Sequence, residues 1–166
     1  MEFRRANEQD ILEILAIIKQ AQSYFKKQGI DQWQGDYPNA GTIREDIAKE
    51  YAYVLLKDNH VAATVAVSFD GEETYDNIYG GEWLSNQPYA VIHRLAVNEE
   101  LKGSGLSTIV MEHIFELCRQ KGIHSIKVDT HEENKPMRRL LEKNLFSYCG
   151  IIHVSDGERV AYEKLI

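Results

Sequence analysis

The middle of the sequence contains a strand, a glycine loop, a helix and a second strand in immediate succession. Residues 89–97 (YAVIHRLAV) are largely apolar and predict a buried strand. An acidic loop and residues 102–105 (KGSG) then lead into residues 106–118, whose apolar side chains recur at helical spacing, and residues 124–130 (HSIKVDT) predict the next strand. Because a strand–helix–strand unit crosses over with right-handed chirality, we expect the two strands to lie parallel in one sheet.

The segments on either side of this unit predict hairpins and further helices. Asn7 and Asp10 form a capping pattern before a helix that Gly29 ends, and residues 58–60 (DNH) join two β-rich runs. The sequence therefore predicts a mixed α/β fold in a single domain, residues 1–166, with a central mixed sheet of about seven strands flanked by helices. The predicted helices cover residues 11–27, 42–49, 106–121 and 134–144, and the strands cover 2–5, two runs within 51–69, 89–97, 124–130, 148–154 and 159–165. Residues 72–87 form an acidic and aromatic excursion that is expected to be partly helical.

Length, charge and cysteine content restrict the class of protein. The 166 residues suit one domain, and 26 acidic against 19 basic side chains give a net charge of −7. No basic run is present, which argues against a nucleic-acid partner. The longest apolar runs, such as residues 61–67, are too short to cross a bilayer, and no apolar signal segment follows the first residues. Since Cys118 and Cys149 give no disulfide framework, the sequence predicts a cytoplasmic protein without a membrane partner.

The glycines at 103 and 105 allow two interpretations. Glycine permits tight turns and close approach of a ligand, and a helix start offers unpaired N–H groups, so the loop is typical of an anion cradle for phosphate. The same residues also suit an ordinary tight connection. A Walker A loop is excluded because no Gly-Lys pair follows the glycines. A Rossmann fingerprint is disfavoured because Thr108 stands where the third small residue belongs, although Asp129 at the end of the next strand favours it.

Two motifs carry a resemblance to a known family. Residues 102–107 (KGSGLS) resemble the first signature of the GNAT superfamily of N-acetyltransferases, in which Arg/Gln-x-x-Gly-x-Gly/Ala opens a helix after a strand and a short acidic loop. Lys102 replaces Arg or Gln, and Ser107 replaces the last Gly or Ala. Residues 134–146 (NKPMRRLLEKNLF) resemble the second signature, Asn-x-x-Ala-x-x-x-Tyr-x-x-x-Gly-Phe. The predicted element order matches as well, so the resemblance covers essentially the whole chain.

This resemblance implies transfer of an acetyl group from acetyl-CoA to the primary amine of a small molecule or peptide. It implies that the main chain of Leu95 and Val97 pairs with the pantetheine arm, beside parallel strands that splay to admit the thioester. Lys102 would act on phosphate as a point charge. Asn134 would bind the pantetheine or the adjacent backbone, or would cap its helix, and the two roles are compatible. The amides expected to hold the pyrophosphate are those of Gly103, Ser104, Gly105, Leu106 and Ser107.

The resemblance also indicates which positions would carry an acid or a base. The family's usual acid is a tyrosine, but Leu141 occupies that place. Tyr148 is the candidate replacement, or else a tyrosine packed on its strand. His93 on the central strand and His131 just past the next strand are candidates for a general base, or else hydrogen-bonded structural histidines.

Three further expectations concern the same region. Two-residue alternation places His93 on the same face as Leu95 and Arg94 on the opposite face. Cys149 has no identifiable base partner, so covalent catalysis is not expected. The remaining histidines are scattered singly, and no metal site is predicted.

Trp33 and Tyr37 lie between the first two helices, in the region that covers the acceptor site in the resembled family. An aromatic wall there would select a flat or cationic acceptor; alternatively, Trp33 anchors its loop to the core. The segment 72–83 is the other candidate wall, because its acidic side chains would attract an amine. The alternative function is a non-catalytic acyl-CoA-binding regulatory module, and the resemblance also implies that two chains can pair as a homodimer.

Overall fold

The computed structural model describes residues 1–166 and contains four α-helices and seven strands. The helices are α1 (Ile11–Lys27), α2 (Ala40–Ala48), α3 (Leu106–Gln120) and α4 (Lys135–Lys143). The strands are β1 (Glu2–Arg5), β2 (Ala52–Lys57), β3 (His60–Ser68), β4 (Ala90–Val97), β5 (Ser125–Thr130), β6 (Ser147–Val154) and β7 (Gly157–Leu165). They form one seven-stranded sheet in the order β1-β2-β3-β4-β5-β7-β6. The predicted mixed α/β fold class is therefore confirmed.

The capping pattern predicted before α1 is present, on a 3-10 turn at Glu8–Asp10 that leads directly into the helix. Asn7 Oδ1 accepts a hydrogen bond from the N–H of Gln9 at 2.9 Å, and the Asp10 carboxylate accepts one from the N–H of Asn7 at 2.8 Å. Arg4 of β1 donates two more hydrogen bonds to Asp10, at 2.8 and 3.0 Å, and lowers the pKa of that carboxyl. The start of α1 is thereby fixed to the first strand.

The chain divides into two compact units, of which the first comprises Met1–Val67 and His93–His113. Strands β1, β2 and β3 pair antiparallel in this unit. Asp58 and Asn59, in the turn between β2 and β3, both have positive φ, as a two-residue hairpin turn requires. The core of this unit combines apolar side chains of helices and strands, among them Ile14, Ile17, Ile18, Ile43, Val54 and Val61.

The second unit comprises Ser68–Ile92 and Ile114–Ile166. Strand β4 pairs parallel with β5 at Ala90–Ile126 and Val91–Lys127, which confirms the parallel arrangement predicted for these two strands. Strand β7 pairs antiparallel with both β5 and β6. One apolar cluster of this unit consists of Tyr75, Val91, Ile152 and Ala161.

The excursion between β3 and β4 packs against β6. It contains a 3-10 turn at Glu73–Tyr75 in the segment predicted to be partly helical. Tyr79 exchanges two main-chain hydrogen bonds with Ile151, each 2.8 Å long. Gly81 approaches β6 so closely that a Cβ would lie 2.0 Å from the carbonyl oxygen of Cys149. A residue without a side chain is therefore required at this position.

Most element boundaries differ from the predicted ones by one or two residues. Helix α2 begins at Ala40 rather than at Thr42, because Asn39 Oδ1 accepts a hydrogen bond from the Thr42 N–H at 3.0 Å and caps the helix. The prediction of a single domain is not tested by the division into two units and stays a prediction. No helix of the chain combines the length and the apolar character needed to cross a membrane.

Candidate functional site

The loop between β4 and α3 is anchored before its glycines begin. The Asn98 N–H donates to the carbonyl of Ala62 in β3 at 2.9 Å, and Asn98 Oδ1 accepts from the Glu100 N–H at 3.1 Å. The Glu99 N–H donates to Gln20 Oε1 of α1 at 2.9 Å. The loop therefore starts from a fixed position on a strand and a helix of the first unit.

Both glycines of this loop have a left-handed backbone. Gly103 and Gly105 each have a φ of +82°, which residues with a Cβ rarely adopt. Both are exposed, and no heavy atom lies within 4 Å of the position that a Cβ would take. The main chain at these positions is therefore accessible to a ligand.

Some N–H groups of the loop are already used within it. The Lys102 N–H donates to the carbonyl of Glu99 at 3.4 Å, and both the N–H and the hydroxyl of Ser104 donate to the carbonyl of Leu101. The N–H groups that donate to no protein acceptor are those of Gly103, Gly105, Leu106, Ser107 and Thr108. They lie at the N-terminus of α3, where the helix dipole favours an anion, so the residues fit a phosphate ligand.

The side chain of Lys102 lies next to helix α1. Its Nζ is 5.0 Å from the centroid of the Tyr24 ring. Such a cation–π contact contributes about 0.5–1 kcal/mol at an exposed site, which is weak enough for a phosphate to replace. The role of Lys102 as a point charge on phosphate stays a prediction.

Strand β4 continues through Arg94, but the backbone is irregular at this residue. The φ of this residue is +53°, whereas strand residues normally have a φ near −120°. A residue with this φ turns the main chain out of the ordinary pleat. The regular two-residue alternation predicted for His93, Arg94 and Leu95 is therefore interrupted at Arg94.

The side chain of Arg94 forms a buried ion pair with Asp46 of α2. Arg94 Nε and Nη2 donate to the two carboxylate oxygens at 2.7 and 2.6 Å, the bidentate geometry that makes such pairs strong. Arg94 Nη1 donates to Tyr37 Oη at 3.0 Å. Sequence reasoning missed Asp46, although it lies three residues after the buried Ile43 on the same face of α2. A carboxylate on an apolar helix face indicates a buried partner.

The two aromatic residues predicted on the acceptor side differ in their surroundings. Trp33 is partly buried, meets Phe25 edge-on with ring centroids 5.7 Å apart, and packs on the core of the first unit. Tyr37 is 43% exposed while its hydroxyl accepts the hydrogen bond from Arg94. The packing of Trp33 favours the alternative in which it anchors its loop, whereas Tyr37 presents an open ring.

His93, a candidate base, has an altered acidity. Burial, and secondarily the Arg94 guanidinium, lower the pKa of His93 to about 4. Both effects disfavour the charged imidazolium. The ring is therefore neutral at pH 7, and its weak basicity suits hydrogen bonding better than removal of a proton from an ammonium group.

We expect the His93 ring to remain neutral down to about pH 5, since its pKa is lowered to about 4. In the unfolded chain its pKa is near 6.5, so acid protonates the unfolded state first. The contribution of His93 to the free energy of unfolding is thus present above pH 6.5 and is lost as the pH falls towards 4. NMR titration, with the His93→Gln variant for assignment, measures this; a signal titrating near pH 6.5 and absent from that variant would contradict it.

Asn134 and His131 lie in the second unit. Asn134 is buried and caps α4, because its Oδ1 accepts from the Met137 N–H at 3.3 Å while its Nδ2 donates to Thr130 Oγ1 at 3.1 Å. The predicted capping role is confirmed, and a role toward a ligand stays a prediction. His131 Nδ1 accepts a hydrogen bond from the Glu133 N–H at 3.0 Å. The neutral His131 ring therefore carries its proton on Nε2.

Tyr148 and Cys149 lie on β6. Tyr148 is 49% exposed and packs edge-on to Tyr162 with ring centroids 5.9 Å apart, so it is packed on its strand while its role as an acid stays a prediction. Cys149 is buried, and burial together with the charge of Glu163 raises the pKa of its thiol. A thiol with a raised pKa is a poor nucleophile, which agrees with the expectation against covalent catalysis.

Sequence reasoning did not find the polar contacts between β5 and the excursion before β4. Asp129 accepts a hydrogen bond from Tyr75 Oη at 2.7 Å, and burial raises the pKa of its carboxyl. Lys127 Nζ lies 4.1 Å from the centroid of the Tyr89 ring and 4.4 Å from that of Trp83. Burial lowers the pKa of this ammonium group. No group of three or more His, Cys, Asp or Glu side chains is placed to hold a metal ion.

Comparison with known proteins identifies similar sequences and folds. Residues 14–145 match the model of the acetyltransferase (GNAT) family. A GNAT-family acetyltransferase from Streptococcus agalactiae 2603 is 34% identical with a TM-score of 0.91, over 99% of this chain and 95% of that one. A candidate acetyltransferase from Staphylococcus aureus Mu50 is 29% identical with a TM-score of 0.76, over 99% of both chains. The ribosomal-protein-alanine N-acetyltransferase from Brucella melitensis, 13% identical with a TM-score of 0.71 over 100% of both chains, shares the fold. No curated protein matches the sequence.

Proposed function

The chain belongs to the GNAT family of acetyltransferases, and from this membership we propose that it transfers an acetyl group from acetyl-CoA to a primary amine. The enzyme is an N-acetyltransferase, and acetyl-CoA is the general acetyl donor of its family. The proposed acceptor is a small molecule or a peptide. The proposed reaction is direct attack of the neutral amine on the thioester, without an acyl-enzyme.

The observation that carries this proposal is the main chain at the start of α3. Between Gly103 and Ser107, every N–H group except that of Ser104 lacks a protein acceptor. These groups lie at the N-terminus of a helix of 15 residues. A diphosphate is the part of acetyl-CoA that such a set of donors binds. The two left-handed glycines keep side chains away from this main chain.

We assign further contacts with acetyl-CoA to four other residues. Leu95 and Val97 directly precede it on β4, and their main chain is proposed to bind the pantetheine arm. Lys102 is proposed to add its charge to the phosphate contacts. The proposed contribution of Asn134 comes from the amide that also caps α4.

Acetyl-CoA supplies the acetyl group as a thioester, and the protein holds the amine in position. Orientation alone can supply an effective molarity of roughly 10⁵ M or more. We assign His93 a hydrogen-bonding role, because its pKa of about 4 makes it a weak base. His131 and Tyr148 stay the candidates for proton transfer.

Charge and surface chemistry favour a cationic acceptor. The net charge of −7 attracts amines in their ammonium form, and the exposed ring of Tyr37 suits a flat or cationic group. The Brucella melitensis enzyme that shares the fold is named for acetylation of an alanine of a ribosomal protein. An informative acceptor panel therefore contains spermidine, tyramine and a peptide with an N-terminal alanine.

We expect isothermal titration to show acetyl-CoA binding with a Kd between about 1 µM and 1 mM, the range in which enzymes usually bind their substrates. Release of free CoA thiol with the amine panel then tests turnover. Absence of binding at millimolar acetyl-CoA would contradict the proposed function. Binding without thiol release would favour the alternative, an acyl-CoA-binding module without turnover.

A further inference from the structure

Arg94 combines a left-handed backbone with a fixed side chain in the middle of a strand. Its φ is +53°, and it is not a glycine. A residue with a Cβ holds this conformation only when its surroundings enforce it. The surroundings that can enforce it here are the groups that contact the Arg94 side chain.

Asp46 supplies the strongest of these contacts. The side chains of Arg94 and Asp46 are only 14% and 8% exposed, and they are joined by two hydrogen bonds of 2.6 and 2.7 Å. A buried carboxylate without its partner is strongly destabilising, so the pair resists separation. Because Asp46 lies on α2, the pair fixes β4 to that helix at the residue before Leu95.

Tyr37 supplies the third contact. Its Oη accepts a hydrogen bond from Arg94 Nη1 at 3.0 Å, while its ring is 43% exposed. A hydrogen bond from a charged donor is stronger than one between neutral groups. The hydroxyl is thus held from within the protein, and the ring faces outward in a fixed position.

We propose that Arg94 is a positioning residue that holds two parts of the acetylation site at once, the main chain of β4 at Leu95 and the phenol of Tyr37. This inference rests on the proposed function, in which Leu95 contacts acetyl-CoA and Tyr37 contacts the acceptor. Arg94 acts through these two residues and touches no reacting atom. The donor side and the acceptor side of the reaction are thereby connected through one guanidinium group.

Comparing Arg94→Gly with Arg94→Ala tests the role of the backbone. Both variants also carry Asp46→Asn, so that no buried carboxylate is left without its partner. Both variants lose the same side-chain contacts, but glycine adopts a positive φ freely and alanine does not. Titration with acetyl-CoA should therefore show a Kd about 5 to 30 times lower for the glycine variant, the ratio that the backbone preference predicts. Equal Kd values would overturn this part of the inference.

Asp58 provides the matched control, because its φ is also +53° and it lies in the turn between β2 and β3. Asp58→Gly and Asp58→Ala should differ in melting temperature, and their acetyl-CoA Kd values should agree within about twofold. A difference in Kd as large as that of the Arg94 pair would show that the effect is not local to β4.

Hydrogen exchange tests the contact with Tyr37. Tyr37→Phe removes only the hydroxyl, so amide exchange in residues 30–39 should become about 3 to 10 times faster, as expected for the loss of one hydrogen bond. Tyr24→Phe, whose ring does not contact Arg94, should leave this exchange unchanged. Unchanged exchange in Tyr37→Phe would overturn this part of the inference.

The outcomes separate this inference from the proposed function. If the wild-type protein binds no acetyl-CoA, both fail. If the wild-type protein binds acetyl-CoA and the glycine and alanine variants at position 94 bind it equally, the proposed function stands and the positioning role of Arg94 fails.

Discussion

Replacing Gly105 with glutamate should weaken acetyl-CoA binding by at least about 100-fold, which corresponds to roughly 2.7 kcal/mol. Two effects contribute. The backbone at Gly105 has a φ of +82°, and a residue with a Cβ loses about 1–2 kcal/mol in this conformation. The new carboxylate would also lie at the N-terminus of α3, where it would repel the diphosphate and occupy its place. Isothermal titration of acetyl-CoA measures the change.

Two further glycine variants separate these effects. Gly105→Ala adds backbone strain without charge and should weaken binding by about 5- to 30-fold. Gly29→Ala adds similar strain after α1, where φ is +68° and no atom lies within 4 Å of the Cβ position. It should lower the melting temperature and leave the Kd unchanged. A folded Gly105→Glu protein with wild-type affinity would show that the diphosphate does not bind at this loop.

The parts of the fold that were predicted correctly depend on local signals. The capping residues before α1 and the turn at residues 58–59 each act over a few residues of sequence, and the strand–helix–strand unit around α3 joins elements that follow one another directly in the chain. Hydrogen bonding and steric preference within such a stretch are nearly independent of the rest of the chain. Errors of one or two residues at element ends arise where a side chain such as Asn39 caps a helix earlier than expected.

The glycine loop of the candidate site could be predicted because glycine itself is visible in the sequence. The ion pair of Arg94 with Asp46 could not, since it joins residues 48 positions apart through tertiary packing. The positive φ of Arg94 has no signature in a strand that is otherwise apolar. The low pKa of His93 depends on burial and on this same guanidinium, so the candidate base could be named but its basicity could not be judged.

In the second unit, the contacts that hold the excursion before β4 could not be predicted from the sequence either. Its acidic and aromatic composition predicted an excursion that is partly helical, but not that one of its main anchors is a glutamate of β7. Glu163 is fully buried and accepts hydrogen bonds from the Leu84 N–H at 2.8 Å and from the hydroxyls of Ser85 and Ser125 at 2.7 Å each. A glutamate near the end of a strand is normally exposed, so nothing in the sequence indicated this role.

Replacing Glu163 with alanine should lower the free energy of unfolding by about 3–5 kcal/mol. The change leaves three donors without their acceptor: the hydroxyl of Ser125 is fully buried, and the hydrogen bonds from Leu84 and Ser85 are partly buried. It also removes the carboxylate whose charge favours the ammonium form of Lys127. Urea denaturation followed by circular dichroism measures the loss.

Glu163→Gln and Glu158→Ala provide the controls for this prediction. Glutamine retains one acceptor oxygen but turns an amide toward the donors, so we expect a loss smaller than that of alanine. Glu158 lies on the same strand with a side chain that is 68% exposed, and its replacement by alanine should change stability by less than about 0.5 kcal/mol. A loss below about 1 kcal/mol in Glu163→Ala would mean that water replaces the carboxylate at little cost, and that the excursion is held mainly by its apolar contacts with β6.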